Sequence, residues 1–236
     1  MKTQLYLIPY AGADVSCFTS LIHMIKGNYG EDVSIKPVEL RGHGKRRKEP
    51  LYENIEDAVC DVMKQIDFHA GPVILYGHCT GGIITHAIYQ KSKEYEKADI
   101  RSVILGSSII NKEKADNFTG FMNEYVEGNI KLMFPMLPDN MINQLVEYKK
   151  TIVAKEYSII LDYLLKSNIK MDEKQILVFG REDNLVDLET ISKDYEELKD
   201  VKKVVVPGGH FFLEEASIEL TQIFGGKIQE METITV

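Results

Sequence analysis

The chain has 236 residues, 44% of them hydrophobic and 27% charged, with a formal net charge of −8 and a pI near 5.3. That length suits one α/β domain with a substantial core, and the acidic balance argues against nucleic-acid binding. Its cysteines (Cys17, Cys60 and Cys79) lack CxxC spacing, which argues against a disulfide framework or a metal site and fits free thiols in a reducing cytoplasm.

The opening MKTQLYLIPYAGAD lacks the basic and long apolar regions of a signal peptide. No run of about 18 apolar residues suggests a membrane span. Residues 3–8 predict a buried first strand, 16–28 a helix, and 33–40 a second strand whose Pro37 points to a sheet edge. Ile55, Val59, Val62, Met63 and Ile66 give 52–68 the spacing of an amphipathic helix. A strand at 73–76, a helix from Cys79 to about Tyr95 and a strand at 101–106 follow.

Residues 111–170 break this rhythm with polar turns and large apolar side chains (Phe118, Phe121, Met122, Met133, Phe134, Met136), and read as a helical insertion. Strand 175–179, helix 188–199, strand 203–206 and helix 212–224 then resume the alternation, before a loosely held tail from about 227. Strands alternating with helices imply a mostly parallel sheet covered on both faces, in a single α/β domain.

Gly77-His78-Cys79-Thr80-Gly81 lies between a short apolar strand and a helix, the setting of the G-x-S-x-G nucleophile elbow of α/β-hydrolases. Cys79 is the candidate nucleophile, and its place at a helix N-terminus is expected to lower the thiol's pKa. A nucleophile needs a base held by a third group. His210, in PGGHFF after the last strand, is the candidate base, and Asp183, after the preceding strand, the candidate orienter, with Glu182 and Asp187 as competitors. The chain order nucleophile, acid, histidine is that of α/β-hydrolases. Oxyanion donors are expected from the N–H of Thr80 and, in the small-residue loop after the first strand, of Ala11. His43, His69 and His86 are assigned solvated or packing roles, and His78 is not assigned as the base.

Four blocks, PYAGA at 9–13, VELRGHGKRRKEP at 38–50, GHCTGG at 77–82 and PGGHFFL at 207–213, resemble the type II thioesterases of nonribosomal peptide and polyketide synthesis. The resemblance implies an α/β-hydrolase core with a helical lid at about 111–170, and no cofactor. It also implies acyl or peptidyl substrates on the phosphopantetheine arm of carrier proteins, with Cys79, Asp183 and His210 in the triad positions. Two features depart from the family: Cys79 stands in place of serine, and Val153-Ala154-Lys155 is the nearest match to the family's Arg-Ala-Asp lid stretch. A cysteine makes the intermediate a thioester, which stays activated toward amines and thiols, so acyl transfer is the alternative to hydrolysis. A dienelactone-hydrolase-like enzyme and a non-catalytic carrier-binding protein are the remaining readings. The basic run at 41–48, with Lys45, Arg46 and Arg47, is a candidate docking surface for an acidic carrier. A monomer is expected, with no nucleic-acid or membrane partner.

Overall fold

A computed structural model of the chain describes residues 1–95, 98–108, 120, 123–128, 130–131, 136–167, 169–186 and 201–233. Strands β1 (Thr3–Ile8), β2 (Val33–Pro37), β3 (Val73–His78), β4 (Ile100–Gly106), β5 (Gln175–Gly180) and β6 (Lys202–Val206) form one sheet. The order is β2-β1-β3-β4-β5-β6 and every pairing is parallel. Every residue of β1, β3 and β5 is buried, as near-continuous apolar runs in a sheet covered on both faces require. Pro37 closes β2, which lies at the sheet edge as expected, where a missing N–H disturbs no ladder.

Helices α2 (Ile55–Met63), α3 (Thr80–Ser92) and α4 (Asp139–Lys166) contribute to one apolar cluster, while α1 (Thr19–Tyr29) and α5 (Ser217–Thr233) pack into another that takes in the alternate side chains of the strands. Asn54 caps α2 by accepting from the Asp57 N–H at 2.9 Å, so this helix starts later than its apolar spacing suggests. The chain end differs from expectation. Leu220, Phe224 and Ile228 recur at helical spacing and are buried, so α5 continues to Thr233 where a loose tail was expected. Within the expected insertion, 123–128 is helical and α4 runs for 28 residues, its Ile142, Val146, Val153, Ile160 and Leu164 buried. The expected helix 188–199, Asp187 and the insertion's Phe118, Phe121, Met122, Met133 and Phe134 lie outside the described residues. Met136, in contrast, is exposed.

The sheet's direction of growth reverses between β1 and β3: the chain passes from β1 outward to β2, then returns to β3 on β1's other side. In open parallel sheets such a switch opens a crevice at the carboxyl ends of the strands. The loops that follow Ile8 and His78 meet there, with Ile8 paired to Gly77.

Candidate active site

Cys79 sits where β3 turns into α3, at φ 52° and ψ −118°. A non-glycine residue in this region is strained, and the surroundings must hold it there. Its N–H donates to the Gly106 carbonyl at 2.7 Å and its own carbonyl accepts from the Gly82 N–H at 3.0 Å. Gly81 lets α3 press onto the end of β1: a Cβ there would stand 2.3 Å from the Pro9 carbonyl oxygen and 2.5 Å from that of Ile8. Gly81 thus sets how closely the elbow approaches the PYAGA loop.

His210 and Asp183 arrive from the ends of β6 and β5. His210 Nδ1 lies 3.2 and 3.1 Å from the two Asp183 carboxylate oxygens, and both residues are buried. Asp183 also accepts from the Leu185 and Val186 N–H groups at 2.9 and 3.0 Å and from the Ser107 hydroxyl at 2.6 Å. Burial by itself would raise this carboxyl, but His210, Ser107 and the Val186 N–H together hold it below its ordinary value. The competitor Glu182 is exposed and accepts instead from the Gly208 N–H at 2.8 Å. With Nδ1–H given to Asp183, Nε2 is the basic nitrogen of His210.

Ala11 and Thr80 line a cavity of about 20 Å³, closed over by Leu40, Tyr52, Ile84 and Ile159 among others. That is room for roughly one water. Cys79 itself is 1% exposed. Among the described residues the cavity's lining is mostly apolar, with Glu156 as its one acidic member.

A model of the thioesterase domain matches residues 3–227. The chain belongs to the thioesterase domain family. No curated protein matches it significantly in sequence. In fold it is similar to ClbQ from the colibactin NRPS/PKS pathway, with TM-score 0.71, 17% identity, and coverage of 99% of this chain and 100% of that one. It is likewise similar to RedJ, the thioesterase of the prodiginine pathway in Streptomyces coelicolor, at TM-score 0.70 and 17% identity, covering 95% of this chain and 85% of that one. The type II thioesterase BorB of the borrelidin cluster superposes at TM-score 0.70 and 15% identity, over 97% of this chain and 93% of that one. The parallel sheet flanked by helices is therefore the α/β-hydrolase fold of thioesterases.

Two expectations are corrected in this thioesterase-family chain. Burial raises the Cys79 thiol above its ordinary value, against the N–H and hydroxyl of Thr80, which lower it. Desolvation outweighs the helix terminus, and the thiol rests neutral instead of acidic. Arg46 is not presented as a docking cation. Its guanidinium bonds Asp61 at 2.7 and 2.9 Å and Glu49 at 2.6 and 2.8 Å, and it reaches the Glu39 carbonyl at 3.1 Å. Lys45 and Arg47 are exposed.

Other residues near the site escape sequence reasoning. His78 is buried beside the nucleophile, and burial followed by His210 pushes it down to about 3, so its ring is neutral. Its Nε2 is 2.8 Å from the His210 carbonyl, which can only accept, so Nε2 carries the proton. Nδ1 then accepts from the Tyr76 hydroxyl at 2.9 Å. His78 thereby pins the backbone of the candidate base. Ser107, at φ 41°, could have been suspected only from its place at the carboxyl end of a strand. His43 does pack in the interior, but it also shares a 2.6 Å hydrogen bond with Glu156. His86 is buried against Gln175 at 2.8 Å, and His69 is exposed. Among the described residues, no helix is long and apolar enough to cross a membrane, and no cluster of His, Cys, Asp and Glu could hold a metal.

Proposed function

We propose that this chain hydrolyses acyl or peptidyl thioesters carried on the phosphopantetheine arm of nonribosomal peptide or polyketide carrier proteins, through an acyl-enzyme on Cys79. One observation carries the reading: a strained cysteine on the β3–α3 elbow, in a thioesterase-family chain whose β5 and β6 ends supply a hydrogen-bonded Asp183–His210 pair. ClbQ, RedJ and BorB, which share that fold, come from the colibactin NRPS/PKS pathway, the prodiginine pathway and the borrelidin cluster.

Because the thiol rests neutral, His210 acts as a general base and not as the partner of a preformed thiolate. Its Nε2 takes the Cys79 proton as sulfur attacks the thioester carbonyl. The oxyanion is held by the N–H groups of Thr80 and Ala11. Collapse breaks the carbon–sulfur bond to the carrier arm, and the departing thiolate takes the proton from His210. Water, deprotonated by the same nitrogen, then cleaves the Cys79 thioester. Asp183 keeps the proton on Nδ1 and stabilises the transient imidazolium. α4 and 123–128 act as the lid that must part to admit the arm. Lys45 and Arg47 steer the acidic carrier toward it.

Acyl transfer to an amine is the second reading, favoured by the burial of Cys79 away from bulk water. Intact-mass analysis after mixing with an acyl-loaded carrier decides between outcomes. A mass increase by one acyl group, absent in Cys79→Ala, is expected, followed by release of free acid. Unchanged hydrolysis by Cys79→Ala would falsify the covalent mechanism, and amide formation as the main fate with added amines would favour transfer.

A further inference from the structure

Gly12 is held from three sides by one face of α4. Its N–H donates to Glu156 Oε2 at 2.7 Å, and its carbonyl accepts from Lys149 Nζ at 3.0 Å. Between these, Val153 lies so close that a Cβ on Gly12 would come within 2.8 Å of its Cγ2. Residues 149, 153 and 156 recur at helical spacing and share that face.

The turn these residues grip is the loop from which the second oxyanion donor is expected. The Ala13 N–H donates to the Tyr10 carbonyl at 3.1 Å, with Gly12 third in the turn at φ 76°. This is the pattern of a type II turn, in which the third residue needs positive φ. The Ala11 N–H belongs to the preceding Tyr10–Ala11 peptide, so Glu156 and Lys149 act on it by fixing where this turn sits against α4. Glu156 is 8% exposed. Burying a carboxylate is unfavourable unless its oxygens are bonded, and here both are: Oε2 takes the Gly12 N–H and Oε1 meets His43 at 2.6 Å. With both oxygens engaged, Glu156 is poorly placed to act as a base, although it lines the same cavity as Ala11 and Thr80.

We propose that Glu156 and Lys149 are positioning residues that tie α4 to the oxyanion loop, so that the hole is complete only while α4 is seated. A lid displaced to admit a substrate must return before the tetrahedral intermediate can be stabilised. The inference rests on the Cys79 acyl-enzyme reading.

The test compares Glu156→Ala, Glu156→Gln and Lys149→Met with the unchanged protein in three measurements. Turnover is followed on a small acyl thioester. Affinity is measured for a short acyl aldehyde, to which the Cys79 S–H adds reversibly, forming a carbon–sulfur bond and moving the proton to an oxygen that lies in the oxyanion hole. Alkylation of Cys79 by iodoacetamide requires no oxyanion hole. Losing one oxyanion donor costs about 10²–10³ in kcat, so partial misplacement in Glu156→Ala is expected to lower kcat and aldehyde affinity together by about 10–100-fold. KM should move much less, and alkylation should not slow. Glu156→Gln, which can still accept from Gly12, should recover most of the loss, and Lys149→Met should show a smaller loss of the same kind. Unchanged aldehyde affinity, or parallel loss of alkylation, turnover and affinity, overturns the proposal. If Glu156→Ala does not fold, Lys149→Met decides by the same criteria. Failure of Cys79 in the unchanged protein to become acylated overturns the underlying reading, and the proposal with it.

Discussion

Asp183 accepts from four different donors: the His210 imidazole, the Ser107 hydroxyl and two backbone N–H groups. A carboxylate so well satisfied stays ionised and cannot swing away, which fixes the tautomer of His210. An amide in its place would present N–H where His210 also donates, and the ring would be driven to the other tautomer. The corresponding exchange in serine-protease triads costs about 10⁴ in kcat, and Asp183→Asn should lose turnover on that order while still folding. Steady-state kinetics on a small thioester check this, and a loss below tenfold would remove Asp183 as the orienter. Tyr76 serves the same base from behind, through His78. Tyr76→Phe leaves the buried His78 Nδ1 without its donor, an omission that costs about 1–3 kcal/mol. Urea unfolding should register that loss, accompanied by a smaller fall in kcat as the His210 backbone loosens.

The 41–48 loop divides by side chain, although it reads in sequence as one basic run. Arg46 bridges Asp61 on α2 and Glu49 just past the loop, while Lys45 and Arg47 face solvent. Replacing both exposed cations with glutamine should raise KM for carrier-borne thioesters several-fold, more at low salt than high, and leave small thioesters unaffected. Equal effects on both substrate types would reject carrier docking. Arg46→Met should instead lower stability by about 1.5–3 kcal/mol, the range for hydrogen bonds to charged groups. The division shows which information is local. Strand positions, the edge proline and the elbow are legible because periodicity and turn chemistry act over a few neighbouring residues. The pairing of His210 with Asp183 is legible because residues following the carboxyl ends of adjacent parallel strands come together. Arg46's acids, the Tyr76–His78–His210 relay and the Glu156–Gly12 contact, 144 residues apart, are not. They depend on which elements pack together, and composition reads the same whether a charge is paired or solvated.

Across the whole molecule, the sheet separates two apolar clusters, and two of the histidines buried in this layered structure have no room for charge. His78 belongs to β3 and is held down to about 3 by burial and His210. His86 belongs to α3 and is held down to about 4, by burial first and by Lys93 next, with Asp172 opposing. In the unfolded chain both titrate near the ordinary histidine value of about 6.5. Their folded pKa values are depressed, so the native state is favoured fully above about 6.5 and loses that advantage as pH falls toward 4 and then 3. The slope is about 1.4 kcal/mol per pH unit for each histidine. Asp183, also depressed, joins only below its unfolded value of about 3.9. Acid sensitivity should therefore begin near pH 6, before the carboxylates titrate. Urea unfolding between pH 7.5 and 4.5 should show stability level down to about pH 6.5 and falling steadily below it. His86→Gln, whose amide can still meet Gln175, should start less stable at neutral pH and lose stability at about half the rate on acidification. A flat profile from pH 7 to 5 would mean that these rings take up protons in the native state, and that the interior around β3 and α3 opens to water far more readily than its packing implies.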